Sequence, residues 1–208
     1  MSAPRLQLHA EHPEPHKIDR ALEVLRAGQV IAYPTDTSYA IGCDALQKRA
    51  VERVYEIKGM RRDQRLALIC PDLSDIARYA SVDNWHYRIM RRLLPGPYTF
   101  ILSASREVPR MLLSKQKTVG LRVPNHAVPL ALCRGLGNPL ITTTAAVDHE
   151  PLSDPEDIKE AFGGLSLILD AGYGGLVPST VIDLSGRQAV LVREGAGAVD
   201  EIFAEADV

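Results

Sequence analysis

Thr35, Asp36, Thr37, Ser38 and Tyr39 place two threonine hydroxyls, a carboxylate, a serine hydroxyl and a phenol in five consecutive positions. Such a run has enough donors and acceptors to hold a small polar ligand. It follows Val30-Ile31-Ala32, an apolar run that reads as a buried strand, and Pro34 ends that strand's ladder. The hydroxyls therefore fall at a strand end, where α/β folds bind ligands. The same groups have a second use, because Thr, Ser and Asp also bond their own backbone and cap the segment that follows. Local chemistry leaves both readings open. The pattern recurs at Thr142-Thr143-Thr144, after Pro139-Leu140-Ile141, and at Ser179-Thr180, where hydroxyls open the strand through Asp183.

Cations accompany these hydroxyls. Lys58, Arg61, Arg62 and Arg65 put four cations in eight residues, between the end of one helix and the start of a strand at 66–70. Such a loop can wrap phosphates, although Lys and Arg also favour helix C-termini for the dipole alone. Arg122 sits within the apolar run 119–124, and a cation there has to reach solvent, a partner or a ligand. His9, His12 and His16 are no metal site on this reading, since Pro13 and Pro15 break any helix that would align them.

The elements that must position these groups alternate along the chain. Apolar spacing predicts helices over 17–27, 47–58, 73–79, 84–94 and 128–134, and a helix starting near Ser153-Asp154-Pro155-Glu156. For the helix at 73–79, Ser74 or Asp75 is the expected start. Strands are expected at 5–9, 30–32, 66–70, 98–102, 119–124, 139–144, 165–170, 179–183 and 189–193. Trp85, the sole tryptophan, reads as a packing residue at a helix start. Helices and strands alternate over the first two thirds and strands then predominate, which predicts an α/β (α+β) fold, a single domain with a large twisted mixed sheet flanked by helices.

Composition narrows the function classes. The 208 residues suffice for one sizeable core, and 46% hydrophobic with 24% charged residues is ordinary globular usage. No apolar run approaches the ~18 residues of a membrane helix, and the N-terminus has no signal-peptide pattern, so a cytoplasmic protein is expected. Cys43, Cys70 and Cys133 are widely spaced and read as reduced packing thiols. The net charge of −2 hides an asymmetry: residues 58–134 hold 14 basic against 5 acidic groups, and the remainder 10 against 21. A basic surface of that kind attracts polyphosphate or nucleic acid.

Taken together and in order, these residues resemble the YrdC/YciO family of threonylcarbamoyl-adenylate synthases, and the YciO branch in particular. The matching pieces are Tyr33-Pro34-Thr35-Asp36-Thr37 with Tyr39 and Gly42, Ile57-Lys58-Gly59, Pro95-Gly96-Pro97-Tyr98-Thr99, Gly120-Leu121-Arg122-Val123-Pro124, Pro139-Leu140, and Pro178-Ser179-Thr180-Val181-Ile182-Asp183. The resemblance implies one YrdC-like domain with a concave basic face. It also implies a reaction joining L-threonine, bicarbonate and ATP, with Mg2+ arriving on the nucleotide, towards a modified tRNA. A structured or double-stranded RNA is the alternative partner. By resemblance Lys58, Thr35 and Arg122 would be catalytic. Thr37, Tyr39, Arg61 and Arg62 would bind ligand, together with Thr144, Ser179, Thr180 and Arg193. The chain departs from the synthases twice: they carry Lys-x-Arg where it has Lys58-Gly59-Met60, and Ser-x-Asn where it has Thr144-Ala145-Ala146.

Overall fold

Among the described residues, 3–61 and 64–200 of a computed structural model, short strands and helices alternate from the first residues onward. The first half runs β1 (Arg5–Gln7), α1 (Pro15–Arg26), β2 (Ile31–Tyr33), β3 (Ala40–Gly42), α2 (Lys48–Ile57), β4 (Ala67–Ile69), α3 (Leu73–Tyr79), α4 (Asn84–Leu93) and β5 (Tyr98–Ser103). It continues with β6 (Thr118–Arg122), α5 (Ala127–Leu136), β7 (Leu140–Thr144), the hairpin β8 (Ala146–Val147) and β9 (Glu150–Pro151), α6 (Pro155–Ala161), β10 (Leu167–Asp170), β11 (Thr180–Asp183) and β12 (Val190–Arg193).

Local chemistry sets the element ends. Pro15 occupies the first turn of α1, where a missing N–H costs nothing, so the helix begins two residues before the Lys17 expected from spacing. Asp72, rather than Ser74 or Asp75, caps α3, accepting from the N–H groups of Ser74 (2.8 Å) and Asp75 (3.1 Å). Asp83 and Asp154 cap α4 and α6 in the same way. Gly137, at φ 75°, closes α5 in the left-handed region that suits glycine.

Ten strands form one mixed sheet in the order β1-β10-β2-β3-β7-β4-β6-β5-β11-β12. The predicted large mixed sheet flanked by helices is therefore present. The sequence reading omitted β3 and the β8–β9 hairpin. β3 is only three residues long and carries no alternation to betray it. It lies so close to β7 that a Cβ on Gly42 would stand 1.9 Å from the Ile141 carbonyl oxygen.

The pleat divides the sheet's side chains into two populations. On one face Ala32, Ile41, Leu68, Phe100, Leu121 and Ile182 pack with residues of α2, α3, α4 and α6. On the other face Ile31, Tyr33, Ala40, Ile69, Leu140, Leu167 and Leu169 pack under α1 and α5. Each leucine, isoleucine or phenylalanine among them, once buried, contributes about 1.5–3 kcal/mol. Trp85 packs partly buried against the first cluster, as its place at a helix start suggested, and all three cysteines are buried and free. On the second face α1 and α5 cover the strands from β1 to β7 and Ile69 of β4, so the rest of β4, with β6, β5, β11 and β12, lies beyond them.

Candidate functional site

The uncovered strands floor a cleft of about 560 Å³, lined among others by Thr99 and Ile101 of β5, Thr118, Gly120 and Arg122 of β6, Val181 and Asp183 of β11, and Arg193 of β12. These are alternate residues of each strand, the partners of Phe100, Leu121 and Ile182 on the opposite face. A second lobe of about 450 Å³ adjoins it, lined by Lys58, Met60, Gln64, Ala146, Asp148, His149 and Pro178. Thr143, Thr144 and Arg193 line both lobes.

Arg122 is the buried centre of the first lobe. Its Nη2 donates to Asp36 Oδ1 and, at 2.9 Å, to Thr37 Oγ1. Asp36 Oδ2 accepts the Asn125 N–H at 2.9 Å, so the carboxylate holds both the guanidinium and the chain just beyond β6. Arg122 Nε is buried with no protein partner. An orphaned charged donor of this kind is costly to bury, and beside a cleft it is suited to an anionic ligand oxygen. Thr35 does not reach the cleft: its hydroxyl donates to the Ser38 carbonyl (2.7 Å) and accepts the Thr37 N–H (3.2 Å). The hydroxyl-rich turn bonds its own backbone, the second of the two uses foreseen for it, and lines neither lobe itself. Thr35 braces the turn, and the turn presents Asp36 and Thr37 to Arg122.

Arg193 bonds the Ser179 carbonyl through Nε (3.2 Å) and Nη2 (2.7 Å), and Ser179 Oγ lies 2.9 Å from Thr99 Oγ1. Burial, and then the charge of Arg122, push the Arg193 guanidinium below its usual range. Two guanidiniums thus face one cleft, one of them paired with Asp36, and a bound phosphate or carboxylate would favour the charged form of both. Lys58 Nζ, in the second lobe, donates to the Ala146 carbonyl at 2.7 Å and stands 4.6 Å from the centre of the Phe162 ring. Burial lowers its pKa to about 8.

Other residues named by the resemblance serve the protein's own backbone. Tyr39 is fully buried; its OH donates to the Gly172 carbonyl (2.8 Å) and accepts the Ala171 N–H (3.1 Å), and burial raises its pKa to about 12. Thr180 Oγ1 donates to the Gly197 carbonyl (2.7 Å) and accepts the N–H groups of Gly195 and Gly197 (3.0 Å each), stapling the segment after β12. Arg61 is exposed at the start of its loop, where its N–H donates to Gln64 Oε1 at 2.7 Å, and Arg62 lies outside the described residues. Arg65, not Arg61, lines the first lobe, steadied by Gln116 Oε1 at 3.1 Å. Met60 stands where the synthases carry arginine, and Thr143 Oγ1 donates to its sulfur at 3.7 Å. Sequence reasoning gave no separate role to Asp36, Thr99, Thr142 or Asp183; strand alternation from Thr144 could have found Thr142, while the others depend on pairing between strands and on the turn.

Comparison with known proteins gives the family. The Sua5/YciO/YrdC family model, described as telomere recombination, matches residues 23–195. Escherichia coli YciO, an uncharacterized protein, is 42% identical over 196 residues, 92% of this chain and 95% of its own. The threonylcarbamoyl-AMP synthase of Chromobacterium violaceum is 38% identical over 172 residues, 81% of this chain and 89% of its own. Among solved structures, E. coli YciO superimposes with a TM-score of 0.92 at 41% identity, covering 96% of this chain and 99% of that one. Pyrococcus abyssi Sua5 in complex with L-threonine superimposes with a TM-score of 0.90 at 30% identity, covering 97% of this chain and 60% of that one. A family model spanning most of the chain, and relatives sharing both its sequence and its sheet, show that the chain belongs to the Sua5/YciO/YrdC family.

Proposed function

We propose that the chain forms an acyl-adenylate from L-threonine, bicarbonate and ATP, releasing pyrophosphate. One observation carries the reading: Arg122 with its unpaired Nε, Arg193, and Lys58 converge on a single two-lobed cleft whose remaining polar groups are mostly hydroxyls. Such a lining suits a substrate with several anionic oxygens. The overlap with a Sua5 that binds L-threonine supports the choice of amino acid.

The reaction has two parts. The threonine amine adds to bicarbonate, giving the N-carboxylate and water. A carboxylate oxygen then attacks the α-phosphorus of ATP, forming a mixed anhydride, while the bond from that phosphorus to the bridging oxygen breaks and pyrophosphate leaves. Negative charge builds on the phosphate oxygens and the leaving group, so positioned cations supply most of the protein's contribution. Arg122 Nε is the donor reserved for one such oxygen, Arg193 neutralises its neighbour, and Lys58 serves the second lobe. Ser179 and Thr99 hold Arg193 at its station, and Thr144 is placed between the lobes to bond either substrate. Mg2+ would arrive as the triphosphate's own counter-ion.

The test is pyrophosphate release by the purified chain with ATP, Mg2+ and bicarbonate, with and without L-threonine. Threonine-dependent release that falls 10²–10³-fold in Lys58→Ala is the expected outcome. Release without threonine dependence, or none while ATP still binds, would overturn the substrate assignment.

A further inference from the structure

The first step of the proposed reaction has a requirement that the cations of the cleft do not meet. An amino acid at neutral pH carries an ammonium, which has no lone pair, so it must surrender a proton before its nitrogen can bond to bicarbonate carbon. A proton acceptor therefore has to line the cleft. Among the described residues the ionisable side chains of the two lobes are Lys58, four others that are Arg65, Arg122, Arg193 and Asp183, and the adjacent pair Asp148 and His149. The lysine and the arginines enter as cations, and Lys58 Nζ is committed to the Ala146 carbonyl. Asp183 already accepts twice from Ser185, and carboxylates as a class are weak bases beside an imidazole. His149 is the cleft's sole imidazole among the described residues.

The backbone holds that imidazole in an uncommon place. β8 and β9 pair Ala146 with Pro151 and Val147 with Glu150, leaving Asp148 and His149 as a two-residue turn. Their φ angles are 49° and 72°, and among the described residues only one other non-glycine residue, Lys117, has a positive φ. A tight hairpin turn of this hand demands left-handed backbone at both positions, and the second is ordinarily glycine's because a β-carbon is crowded there. Such local strain collects at functional sites. The root of the hairpin is braced: Lys58 Nζ holds the Ala146 carbonyl at 2.7 Å, Ala145 N–H donates to the Tyr39 carbonyl at 2.8 Å, and Leu152 N–H donates to the Ala145 carbonyl at 2.8 Å. The tip is not taken up by the protein, since both side chains are exposed and no described residue hydrogen-bonds either. Ala146, which stands where the synthases carry Asn, offers no polar side chain, so the hairpin's polar groups in the second lobe are those of its tip.

We propose that His149 is the proton acceptor of the amine-carboxylation step, carried to the second lobe on the strained tip of the β8–β9 hairpin. The inference rests on the reaction proposed above and supplies its base. One ammonium proton passes to the neutral imidazole, and the freed nitrogen lone pair forms the bond to bicarbonate carbon. A second proton leaves with the bicarbonate hydroxyl as water when the C–O bond breaks, and the third stays on nitrogen, giving the N-carboxylate. The imidazolium then returns its proton to solvent, to which its exposed position gives access. Asp148, one residue away, offers the ammonium a counter-charge before the transfer.

The test compares the full-length wild type with His149→Gly and His149→Gln in thermal unfolding, in calorimetric titration with ATP, and in threonine-dependent pyrophosphate release with and without added imidazole. Glycine relieves the left-handed position, so His149→Gly raises the unfolding midpoint by about 2–4 °C and binds ATP as the wild type does. Its turnover nevertheless falls about 10²–10⁴-fold, and so does that of His149→Gln, whose amide is no base. Added imidazole restores part of the rate to His149→Gly, where the missing ring leaves room for it, and does not accelerate the wild type. Wild-type turnover in His149→Gly would overturn the proposal. A loss that imidazole does not restore would also overturn it, because the ring would then be a support of the hairpin and not a base. Either result leaves the adenylate reaction standing, since the wild type still releases pyrophosphate with threonine. A wild-type chain without threonine-dependent release would end both.

Discussion

One face of the sheet is built in two halves with the same pleat and different contents. Under α1 and α5 the inward residues are Ile31, Tyr33, Leu140, Leu167 and Leu169, all at most 1% exposed. On β5, β6, β11 and β12 the residues of the same parity include Thr99, Gly120, Arg122, Asp183 and Arg193, and no helix covers them. Had the second half been apolar, it would have been a sticky sheet face of the kind that recruits a partner. Hydroxyls, small residues and cations keep it open and soluble, at the cost of burying Arg122 with an unpaired donor. On the proposed function the covered half supplies stability and the open half binding, and substitutions can separate the two.

The largest expected effect comes from the residue that serves both. Arg122→Ala leaves Asp36 buried without its cation, which is expected to cost about 3–5 kcal/mol in urea denaturation and to remove ATP binding by whatever fraction remains folded. Little loss of stability would mean that the ion pair between Asp36 and Arg122 is not a structural strut. Next, Leu169→Ala in the covered half should destabilise by about 2–5 kcal/mol and leave the ATP affinity of the folded chain unchanged; an altered affinity would show the halves to be coupled. In the open half, Met60→Arg restores the cation that the family's synthases carry. It should raise threonine-dependent turnover by about one to two orders of magnitude without moving the denaturation midpoint, and an unchanged rate would indicate that Arg65 already supplies the charge.

The smallest effect is a pH dependence confined to the second lobe. Burial holds the Lys58 pKa at about 8, below the ordinary lysine value. The folded state therefore disfavours the charged amine: the penalty is present in full below pH ~8 and fades as pH rises toward the unfolded value near ~10.4. Stability consequently gains slightly over that window while phosphate affinity declines, since the cation is being lost. The ATP affinity followed from pH 7 to 9 should fall through a midpoint near ~8 in the wild type and lose that step in Lys58→Met. A flat wild-type profile would remove Lys58 from the anion site.

Most of the fold was legible because its signals are local. The stripe Ile18, Ala21, Leu22, Leu25 declares α1 and is fully placed under the sheet. Asp83 and Asp154 announce their helices by capping chemistry. What escaped was set by long-range pairing: β3 is three residues wedged between β2 and β7, and nothing in Ala40-Ile41-Gly42 alone specifies that partnership. The site divides in the same way. Arg122 and Lys58 stood out as a cation within an apolar strand and a cation at a helix end, yet residue type could not say which hydroxyls face the cleft. Thr35, Tyr39 and Thr180 look as suitable as Thr144 and Ser179 in the sequence. Only the turn geometry and strand parity commit the first three to the Ser38, Gly172 and Gly197 carbonyls.

The claim that the open half of the sheet is the ligand site can be tested by methyl chemical shifts during an ATP titration of the Ile-, Leu- and Val-labelled chain. The account predicts that Ile101, Val181 and Val192, which line the cleft, shift on binding while Ile31, Leu167 and Leu169, under α1 and α5, do not. Shifts confined to the covered half, or no shift at saturating nucleotide, would contradict it.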